Sequence, residues 1–365
     1  MSGRNRNAVT MADVAREAGV SVASVSNYLN KRPYMSEAMG ERIARAIARL
    51  GYQVNSSARN LRSGRTKLLK LVIPDLRQMY FADLAEDILA EARRRGYGVI
   101  VESTSNSRDH ELAAIASMGT RPADGLILSP LMMTRDDMGL LEGAYPLVML
   151  GERLFGMDAP HVLIRNHEGA AAATSHLIES GRRRIAVIGA VRSEIAREGA
   201  ASDLTAAHGR SSTDGTRAET SSGALRTRGY LAALADHGVP LDPELLVETR
   251  GWNSVDGFDA IGRMCDSGLG FDAVFALNDT LAWGALRCLR ERGVDIPGEV
   301  RVVGFDDIDE SSYMVPSLTT VDPGRADIAR LAVESIVSQI EAGERAGAAS
   351  IEAPCRLVFR ESSPR

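Results

Sequence analysis

Apolar residues recur at helical spacing near the amino end of the chain, and small polar residues stand just before each run. Thr10 is placed to cap a first helix, with the carboxylate of Asp13 three residues further on, and Val14, Ala15 and Ala18 form the apolar side of this helix. The pattern therefore predicts a short amphipathic helix that begins after Thr10.

The residues that follow predict a tight turn and a second helix. Gly19 ends the first helix, because glycine adopts the positive φ of a sharp turn at no steric cost. Ser21 can cap the second helix, which turns Val25, Tyr28 and Leu29 inward. This spacing predicts a helix-turn-helix, although a helical corner within a larger core would show part of the same pattern.

A third helix and a short basic segment follow. Ser36 can cap the third helix, whose apolar positions between 43 and 50 fall at helical spacing, and Gly51 ends it. Asn55 can cap one or two further turns over 55–62, a length that is marginal in water, so this segment is expected to fold only against a partner. A plain flexible linker is the alternative.

From Lys67 onward, short apolar runs alternate with amphipathic stretches. The predicted strands are 68–74, 97–102, 125–129, 147–150, 185–189, 246–249, 273–277, 300–305, 318–321 and 351–359. The predicted helices are 80–95, 109–118, 167–180, 225–237, 255–267, 280–292 and 325–342. Two successive runs of β-α units predict two mostly parallel sheets covered by helices, with ligands beyond the carboxyl ends of the strands. Residues 193–222 show no clear period and are expected to contain a long, partly disordered loop.

Charge is distributed unevenly along the chain. Residues 1–67 carry twelve Lys or Arg against four Asp or Glu, a net charge of +8, so the remaining residues carry −13 within a total of −5. A basic segment on an acidic body is the electrostatic footprint of a module that neutralises nucleic-acid phosphates. A solvated basic face is the alternative, but it does not predict the coincidence with a helix-turn-helix.

Composition and motifs argue against several classes of protein. The 365 residues are 44% apolar and 25% charged, and no apolar run resembles a signal peptide or a membrane span, so a cytoplasmic location is expected. The cysteines (265, 288 and 355) and the six histidines have no metal-ligand spacing, so reduced thiols, no metal and no cofactor are expected. The first strand precedes no GxGxxG, and the chain has no P-loop or GxSxG, so an enzyme is not expected.

Several short segments follow one another along the chain in a recognisable order. They are VAREAGVS at 14–21, GY at 51–52, RNLRSGRT at 59–66, IAVIG at 185–189, GYLAAL at 229–234, ALND at 276–279, VVGFDD at 302–307 and LTTV at 318–321. In these segments the chain resembles the lactose-repressor/galactose-repressor (LacI/GalR) family of bacterial transcription regulators. The resemblance implies an all-α helix-turn-helix head, a hinge helix, and an α/β, periplasmic-binding-protein-like body of two Rossmann-like subdomains.

The resemblance also implies domain boundaries. The DNA-binding domain spans 1–54, the hinge helix and linker 55–66, and the effector-binding and dimerisation domain 67–365. Within the last, subdomain 1 comprises 67–164 and 322–349, and subdomain 2 comprises 165–321 and 350–365. The chain is expected to cross between them near Arg165, Asp322 and Ser350.

Roles in DNA binding follow position by position from the resemblance. The residues that read base edges in the major groove are matched by Val22, Ala23 and Asn27. Leu61 matches an apolar wedge that enters the minor groove and kinks the duplex. Asn27 stands where Arg is common in the family. The full expected DNA-contacting set is Thr10, Ser21, Val22, Ala23, Ser26, Asn27, Asn30, Asn55, Arg59 and Leu61.

The resemblance places an effector site in the body. Its expected residues are Arg226, Trp252, Asn278 and Asp306, with Ser222 and Tyr80 as lesser candidates. A guanidinium and a carboxylate or amide satisfy paired hydroxyls, and an indole face packs on a sugar ring, so a carbohydrate is the expected ligand. Plain packing of Trp252 and helix capping by Asn278 and Asp306 are the alternatives. Phosphosugars, nucleosides or no ligand remain open.

These observations favour one function over two others. The chain is expected to be a homodimeric, sequence-specific transcriptional regulator, most simply a repressor, that binds a pseudo-palindromic operator and is controlled by an effector between the subdomains. A solute-binding protein of transport would share the body, but the basic head and the missing export signal oppose it. An enzyme on a Rossmann-like scaffold lacks the motifs noted above.

Overall fold

The computed structural model describes residues 9–29, 35–52, 65–119, 123–143, 145–154, 156–198 and 221–365. The chain divides into a head, Met1–Thr66, and a body, Lys67–Arg365. The predicted arm 1–8, the hinge segment 55–62 and most of the irregular 193–222 stretch lie outside the described residues. Among the residues that are described, no helix is long and apolar enough to span a membrane.

Among its described residues, 9–29, 35–52 and 65–66, the head contains three helices, as predicted: α1 (Met11–Ala18), α2 (Val22–Leu29) and α3 (Glu37–Leu50). A capping box begins α1, since the Thr10 hydroxyl accepts from the Asp13 amide and the Asp13 carboxylate accepts from the Thr10 amide. Gly19 has a φ of 62° and ends this helix, as the sequence predicts. Ser36 stands at the start of α3, but its side chain makes no capping hydrogen bond, so that predicted cap is wrong.

The three helices of the head pack around one small apolar core. Val14, Val25 and Ile43 are fully buried, and each comes from a different helix. Ala15 of α1 is buried in the same core. The helix-turn-helix predicted from the sequence is therefore present.

The body is built of alternating strands and helices. Its strands are β1 (Leu68–Ile73), β2 (Gly98–Ser103), β3 (Gly125–Leu128), β4 (Leu147–Leu150), β5 (Pro160–Leu163), β6 (Ile185–Ile188), β7 (Leu246–Val247), β8 (Ala273–Ala276), β9 (Arg301–Phe305), β10 (Thr319–Asp322), β11 (Ala349–Glu352) and β12 (Arg356–Val358). Its helices are α4 (Met79–Arg94), α5 (Arg108–Ala116), α6 (Asn166–Glu179), α7 (Ser193–Glu198), α8 (Ser222–Asp236), α9 (Ser254–Asp266), α10 (Asp279–Glu291) and α11 (Arg325–Ala342).

The strands form two sheets of six. The first has the order β11-β5-β4-β3-β1-β2 and is parallel throughout, and the second has the order β12-β10-β9-β8-β6-β7, in which only the β10–β12 pair is antiparallel. The central strands carry almost continuous apolar runs because helices cover both faces of each sheet. This confirms the predicted α/β body.

The chain passes between the two sheets three times. It leaves the first sheet after β5 and returns between β10 and α11, which packs on α4 and β3. The crossing expected near Ser350 is wrong, because Ser350 lies within β11 and pairs with His161 of the first sheet. The third crossing follows Glu352, and β12 then pairs with β10 of the second sheet.

Two further strand predictions need correction. The single predicted strand 351–359 is two strands on different sheets, separated by a short crossover that includes Pro354. Strand β5 was not predicted, because Pro160 and His161 interrupt its apolar pattern within only four residues. Strands β5 and β11, which lie next to each other at one edge of the first sheet, are therefore identified by their pairing in the structure.

Glycines let α9 and α10 pack closely. A Cβ on Gly284 would lie 2.0 Å from the Ser254 carbonyl oxygen, and one on Gly257 would lie 2.1 Å from that of Leu281. The two helices can approach this closely only because both positions lack a side chain. Since α9 follows Trp252 and α10 follows Asn278, this packing also sets the spacing of two predicted site residues.

Candidate functional site

A cavity of about 560 Å³ lies between the carboxyl ends of the two sheets of the body. Its lining includes residues one or two positions after β1, β3 and β4 of the first sheet and after β6, β7, β8 and β9 of the second. All six effector-site residues expected from the sequence lie in this lining: Tyr80, Ser222, Arg226, Trp252, Asn278 and Asp306. Parallel strands bring these positions together because their carboxyl ends share one edge.

Arg226, on the second turn of α8, is the buried cation of the cavity. Its Nε donates to Asn166 Oδ1 at 2.7 Å, one terminal nitrogen donates to the Leu277 carbonyl, and the other lies 3.2 Å from Asp306 Oδ1. The guanidinium also stacks on the Phe305 ring at 3.6 Å. Each of its nitrogens already has a partner within the protein, so Arg226 anchors the wall of the cavity as much as it faces the interior.

Asp306 faces Arg226 from the end of β9. Its backbone has a φ of 113°, outside the usual range for a residue with a side chain. Burial raises the pKa of Asp306 to about 6, while the guanidinium of Arg226 acts against that rise. Asp306 is therefore an ion-pair partner, and capping of a following helix is not its role.

Glu152 is a buried carboxylate in the cavity that was not among the residues predicted from the sequence. It follows β4, and it accepts hydrogen bonds from the Ser222 hydroxyl at 2.9 Å and from the Ile164 amide at 3.2 Å. Burial raises its pKa, and these hydrogen bonds partly oppose the effect. The available signal was an acidic residue two positions after a fully apolar strand, near the edge where ligands bind in a parallel sheet.

Asn278 and Trp252 are tied to each other on the second sheet's side. The Asn278 side chain accepts from the Leu281 amide, which caps α10, and donates to the Trp252 carbonyl at 3.0 Å. Thr280 donates to the same carbonyl at 2.6 Å. Asn278 is thus both a helix cap, the alternative considered for it, and part of the cavity wall, and it holds the indole of Trp252 at the cavity.

Tyr80 stands on the opposite wall, near the start of α4. Its ring packs edge-on against Phe81, with centroids 5.3 Å apart. Burial raises the pKa of Tyr80 far above its ordinary value, and the charges of Asp306 and Glu152 add to this. The phenol stays protonated and can donate a hydrogen bond into the cavity.

Behind the cavity, Asp279 joins three parts of the second sheet. It is fully buried and accepts from the Ile308 amide at 3.0 Å, the Ser311 hydroxyl at 2.8 Å and the Thr320 hydroxyl at 2.5 Å. These bonds fix the loop that carries Asp306. Burial raises the pKa of Asp279 to about 8, and the nearby charge of Asp306 contributes.

The raised pKa of Asp279 predicts a pH-dependent stability. Because the folded state holds this proton more tightly than the unfolded state does (pKa 3.8), the contribution is full below pH 3.8 and is lost as the pH rises towards 8. The free energy of unfolding should fall by up to about 1.4 kcal/mol per pH unit across this window. Urea unfolding followed by circular dichroism should show a smaller slope in Asp279→Asn, and equal slopes would contradict the assignment.

In the head, the predicted base-reading residues lie on the outside of α2. Val22 is 47% exposed, although it is a large apolar side chain, and Ala23 and Asn27 are also exposed. Ser21 accepts from the Ser24 amide at the start of α2, and Ser26 is half-buried. Thr10 is exposed, but its hydroxyl is engaged with Asp13. The remaining expected DNA contacts, Asn30, Asn55, Arg59 and Leu61, lie outside the described residues.

Metal chemistry finds no support in the part of the chain that is described. No group of three or more His, Cys, Asp or Glu side chains there is arranged to hold a metal ion. The three cysteines are free thiols, and burial raises the pKa of each of them.

Comparison with protein families accounts for nearly the whole chain. Residues 10–55 match the model described as bacterial regulatory proteins, lacI family. Residues 66–215 match periplasmic binding proteins and sugar binding domain of LacI family, and residues 174–363 match a periplasmic binding protein-like domain.

Individual relatives agree with the family models. A protein of known structure from Sanguibacter keddieii, assigned to the LacI family of transcriptional regulators, is 39% identical with a TM-score of 0.70, and the match covers 82% of this chain and 99% of that one. A regulator named CelR, solved with cellobiose, is 27% identical with a TM-score of 0.65 over 97% and 99%. Catabolite control protein A of Priestia megaterium is 27% identical over 97% and 99%. The Sanguibacter keddieii protein and CelR are described as transcriptional regulators, the class that the sequence predicts. The chain belongs to the LacI family of bacterial transcriptional regulators.

Proposed function

We propose that the protein is a homodimeric repressor that binds a pseudo-palindromic operator and responds to a carbohydrate in the cavity of the body. The observation that carries the proposal is the cavity itself, which gathers Arg226, Asp306, Glu152, Trp252 and Tyr80 at the shared edge of two parallel sheets. An effector there alters DNA binding only through its different affinity for the DNA-competent and DNA-incompetent states of the body.

The polar groups of the cavity favour a neutral polyol. Two buried carboxylates, Glu152 and Asp306, can each accept hydrogen bonds from hydroxyls, and the phenol of Tyr80 can donate one. The buried guanidinium of Arg226 is already paired with Asp306, so it is less available to a phosphorylated ligand than an unpaired cation would be.

The apolar surfaces of the cavity favour a sugar ring. Trp252 and Tyr80 present aromatic surface from opposite walls, and aromatic faces pack well on the apolar side of a pyranose. The volume of about 560 Å³ lies within the range of small-molecule sites and leaves room for more than one ring. The complex of CelR with cellobiose, a two-ring sugar, supports this choice.

The head supplies the DNA-binding surface. Val22 and Ala23 suit contact with thymine methyl groups, and Asn27 can pair with an adenine edge, while Ser21 and Ser26 suit phosphates. The exposure of Val22 is explained if α2 enters the major groove. Leu61 and its neighbours Asn55 and Arg59 would then act in the minor groove at the operator's centre.

An exposed apolar surface on the second-sheet side supports a dimer. Tyr313 is 85% exposed and Val315 is 68% exposed, and this segment lies against α10 because Arg290 donates to the Val315 carbonyl. Val255, the second residue of α9, is also 68% exposed, and α9 packs on α10. Exposed large apolar side chains on one half of the body are what an interface between copies would cover.

Selection of bound sequences from random duplex DNA tests the function. We expect enrichment of one pseudo-palindromic site, and we expect one neutral sugar from a panel of mono- and disaccharides to reduce its recovery. Glucose 6-phosphate and nucleosides form separate arms, because a response to either would replace the proposed ligand class. Absence of any enriched site would refute DNA recognition, and enrichment without any sugar response would refute the effector.

Leu61→Ala should separate specific from nonspecific binding. If Leu61 enters between base steps, its truncation removes roughly 1.5–3 kcal/mol of apolar burial, so affinity for the selected operator should fall about tenfold or more. Affinity for random duplex should stay unchanged in a gel-shift titration. Arg59→Ala is the matched contrast, since loss of a phosphate contact should weaken both complexes alike. Equal losses for both DNAs in Leu61→Ala would contradict the wedge.

A further inference from the structure

Glu111 is the most completely enclosed carboxylate of the first-sheet half of the body. It lies on α5 and is 0% exposed. Its two oxygens accept from three consecutive backbone amides: Leu131 at 2.8 Å, Met132 at 3.0 and 3.1 Å, and Met133 at 2.7 Å. The Glu111 carboxylate thus accepts the backbone hydrogen bonds of residues 131–133, which follow β3 and for which a neighbouring strand would otherwise supply the acceptors.

This arrangement holds the 131–133 segment in a definite conformation. Consecutive amides that point to one side form a concave site for an anion, and hydrogen bonds to a charged acceptor are stronger than neutral ones. Without the carboxylate, three amides would lack partners, and the segment would have to open to water to satisfy them. Glu111 therefore determines where the segment lies.

The same segment is part of the cavity wall. Ser129, Pro130 and Leu131 line the cavity, with Leu131 38% exposed at its rim. The Met133 carbonyl accepts from Arg153 Nε at 3.1 Å, and Arg153 also lines the cavity, next to Glu152. The carboxylate of Glu111 is thus connected to two cavity residues, Leu131 directly and Arg153 through Met133.

We propose that Glu111 is a positioning residue of the effector site, which holds the rim formed by Leu131 and Arg153 in its ligand-competent place although Glu111 itself does not line the cavity. The proposal rests on the proposed function, because it assigns a role toward the same ligand. It adds that effector affinity depends on a buried acid on α5, remote from the polar groups that meet the ligand.

Asp137 provides a matched control within the same loop. It is also buried, it accepts from the Thr134 amide and hydroxyl, and it pairs with Arg108. It holds a neighbouring short helix, Arg135–Leu141, none of whose residues lines the cavity. Asp137→Asn should therefore disturb the loop without moving the rim.

Amide hydrogen exchange tests the positioning without any ligand. In Glu111→Gln the carboxamide nitrogen cannot accept a hydrogen bond, so exchange at residues 131–133 should be at least about tenfold faster than in the wild type. In Asp137→Asn exchange should rise at 134–138 and stay unchanged at 131–133. Unchanged exchange at 131–133 in Glu111→Gln would overturn the proposal.

Effector affinity tests the functional consequence. With cellobiose, and with any sugar found active on the wild type, Glu111→Gln should bind about tenfold more weakly, because a rim that is ordered a tenth of the time lowers apparent affinity by that factor. Operator affinity without sugar should stay within twofold of the wild type. Equal weakening by Asp137→Asn, or none in Glu111→Gln, would overturn the role.

Two further measurements test the role of the 131–133 segment independently of Glu111→Gln alone. Should Glu111→Gln not fold, Leu131→Ala, a change at a partly exposed position, should still weaken sugar binding, and no effect would overturn the use of the rim. When Glu111→Gln and Leu131→Ala are combined, the loss of sugar affinity should be smaller than the sum of the two single losses, because both substitutions act on the 131–133 segment. If the wild type responds to no sugar, the proposed effector fails, while hydrogen exchange still decides what Glu111 positions.

Discussion

Arg226→Met is expected to lower the free energy of unfolding of the body by about 3–5 kcal/mol and to abolish the response to effector. The side chain is 3% exposed and contacts Asn166, Leu277, Asp306 and the Phe305 ring. Methionine fills the space of the aliphatic stem, but it leaves Asp306 as a buried carboxylate without its cation. Because the pKa of Asp306 is about 6 even beside Arg226, its carboxylate takes up a proton once the cation is removed. The expected loss therefore combines this protonation with the lost hydrogen bonds to Asn166 and Leu277.

Urea unfolding followed by circular dichroism measures this loss, and operator release measures the effector response. Arg287→Met is the control, because Arg287 is 74% exposed and its pair with Glu291 spans one helical turn, so it should change stability by less than about 1 kcal/mol. Adding Asp306→Asn to Arg226→Met should restore part of the stability but none of the response. A loss below about 1 kcal/mol in Arg226→Met would show that the ion pair is not a stabilising element of the cavity.

Gly284→Ala is expected to destabilise the body by about 3 kcal/mol, despite placing a better helix former in a helix. Alanine gains up to about 1 kcal/mol over glycine in a helix interior, but here its Cβ would lie 2.0 Å from the Ser254 carbonyl oxygen and 2.6 Å from the Phe258 amide nitrogen. Backbone atoms cannot rotate away, so α9 and α10 must separate, and the apolar contacts between them are lost. The steric cost therefore exceeds the gain in helix propensity.

Thermal unfolding compares this variant with a glycine in open space. Gly139→Ala places a Cβ with no atom within 4 Å and should change stability by no more than about 0.5 kcal/mol. Because α9 and α10 begin at the cavity wall, Gly284→Ala should also weaken sugar binding, which Gly139→Ala should leave intact. Equal stability of the two variants would mean that the helices tolerate a wider spacing than their packing indicates.

Local patterns were sufficient where the deciding interactions are close in sequence. The capping box at Thr10 and Asp13, the turn at Gly19 and the alternation of strands and helices each depend on residues a few positions apart. Strand β5 could not be predicted from local pattern, because it has only four residues and two of them are Pro160 and His161. The final strand was predicted as one piece because only three residues, 353–355, separate β11 from β12, and the sequence does not show that the two strands join different sheets.

The residues that line the effector site could be named from the sequence, but the contacts among them are known only from the tertiary structure. Resemblance to a family named six residues, and all six line the cavity, yet it did not indicate that Arg226 is already paired with Asp306 or that Asn278 is occupied as a helix cap. Glu111 carries no local motif, and Glu152 carries only its place shortly after an apolar strand. Their roles depend on Ser222, 70 residues away, and on three amides about 20 residues away.

By itself, the sequence determined the order of the elements, the basic head on an acidic body, and the family, because these follow from nearest-neighbour patterns and from summed charge. Only the tertiary structure decided which acids are buried, which partner each one holds and where the chain crosses between sheets. The physical reason is that parallel strands bring the ends of distant segments to one edge of a sheet. Burial then strengthens the polar contacts made at that edge, and no pattern of neighbouring residues encodes those contacts.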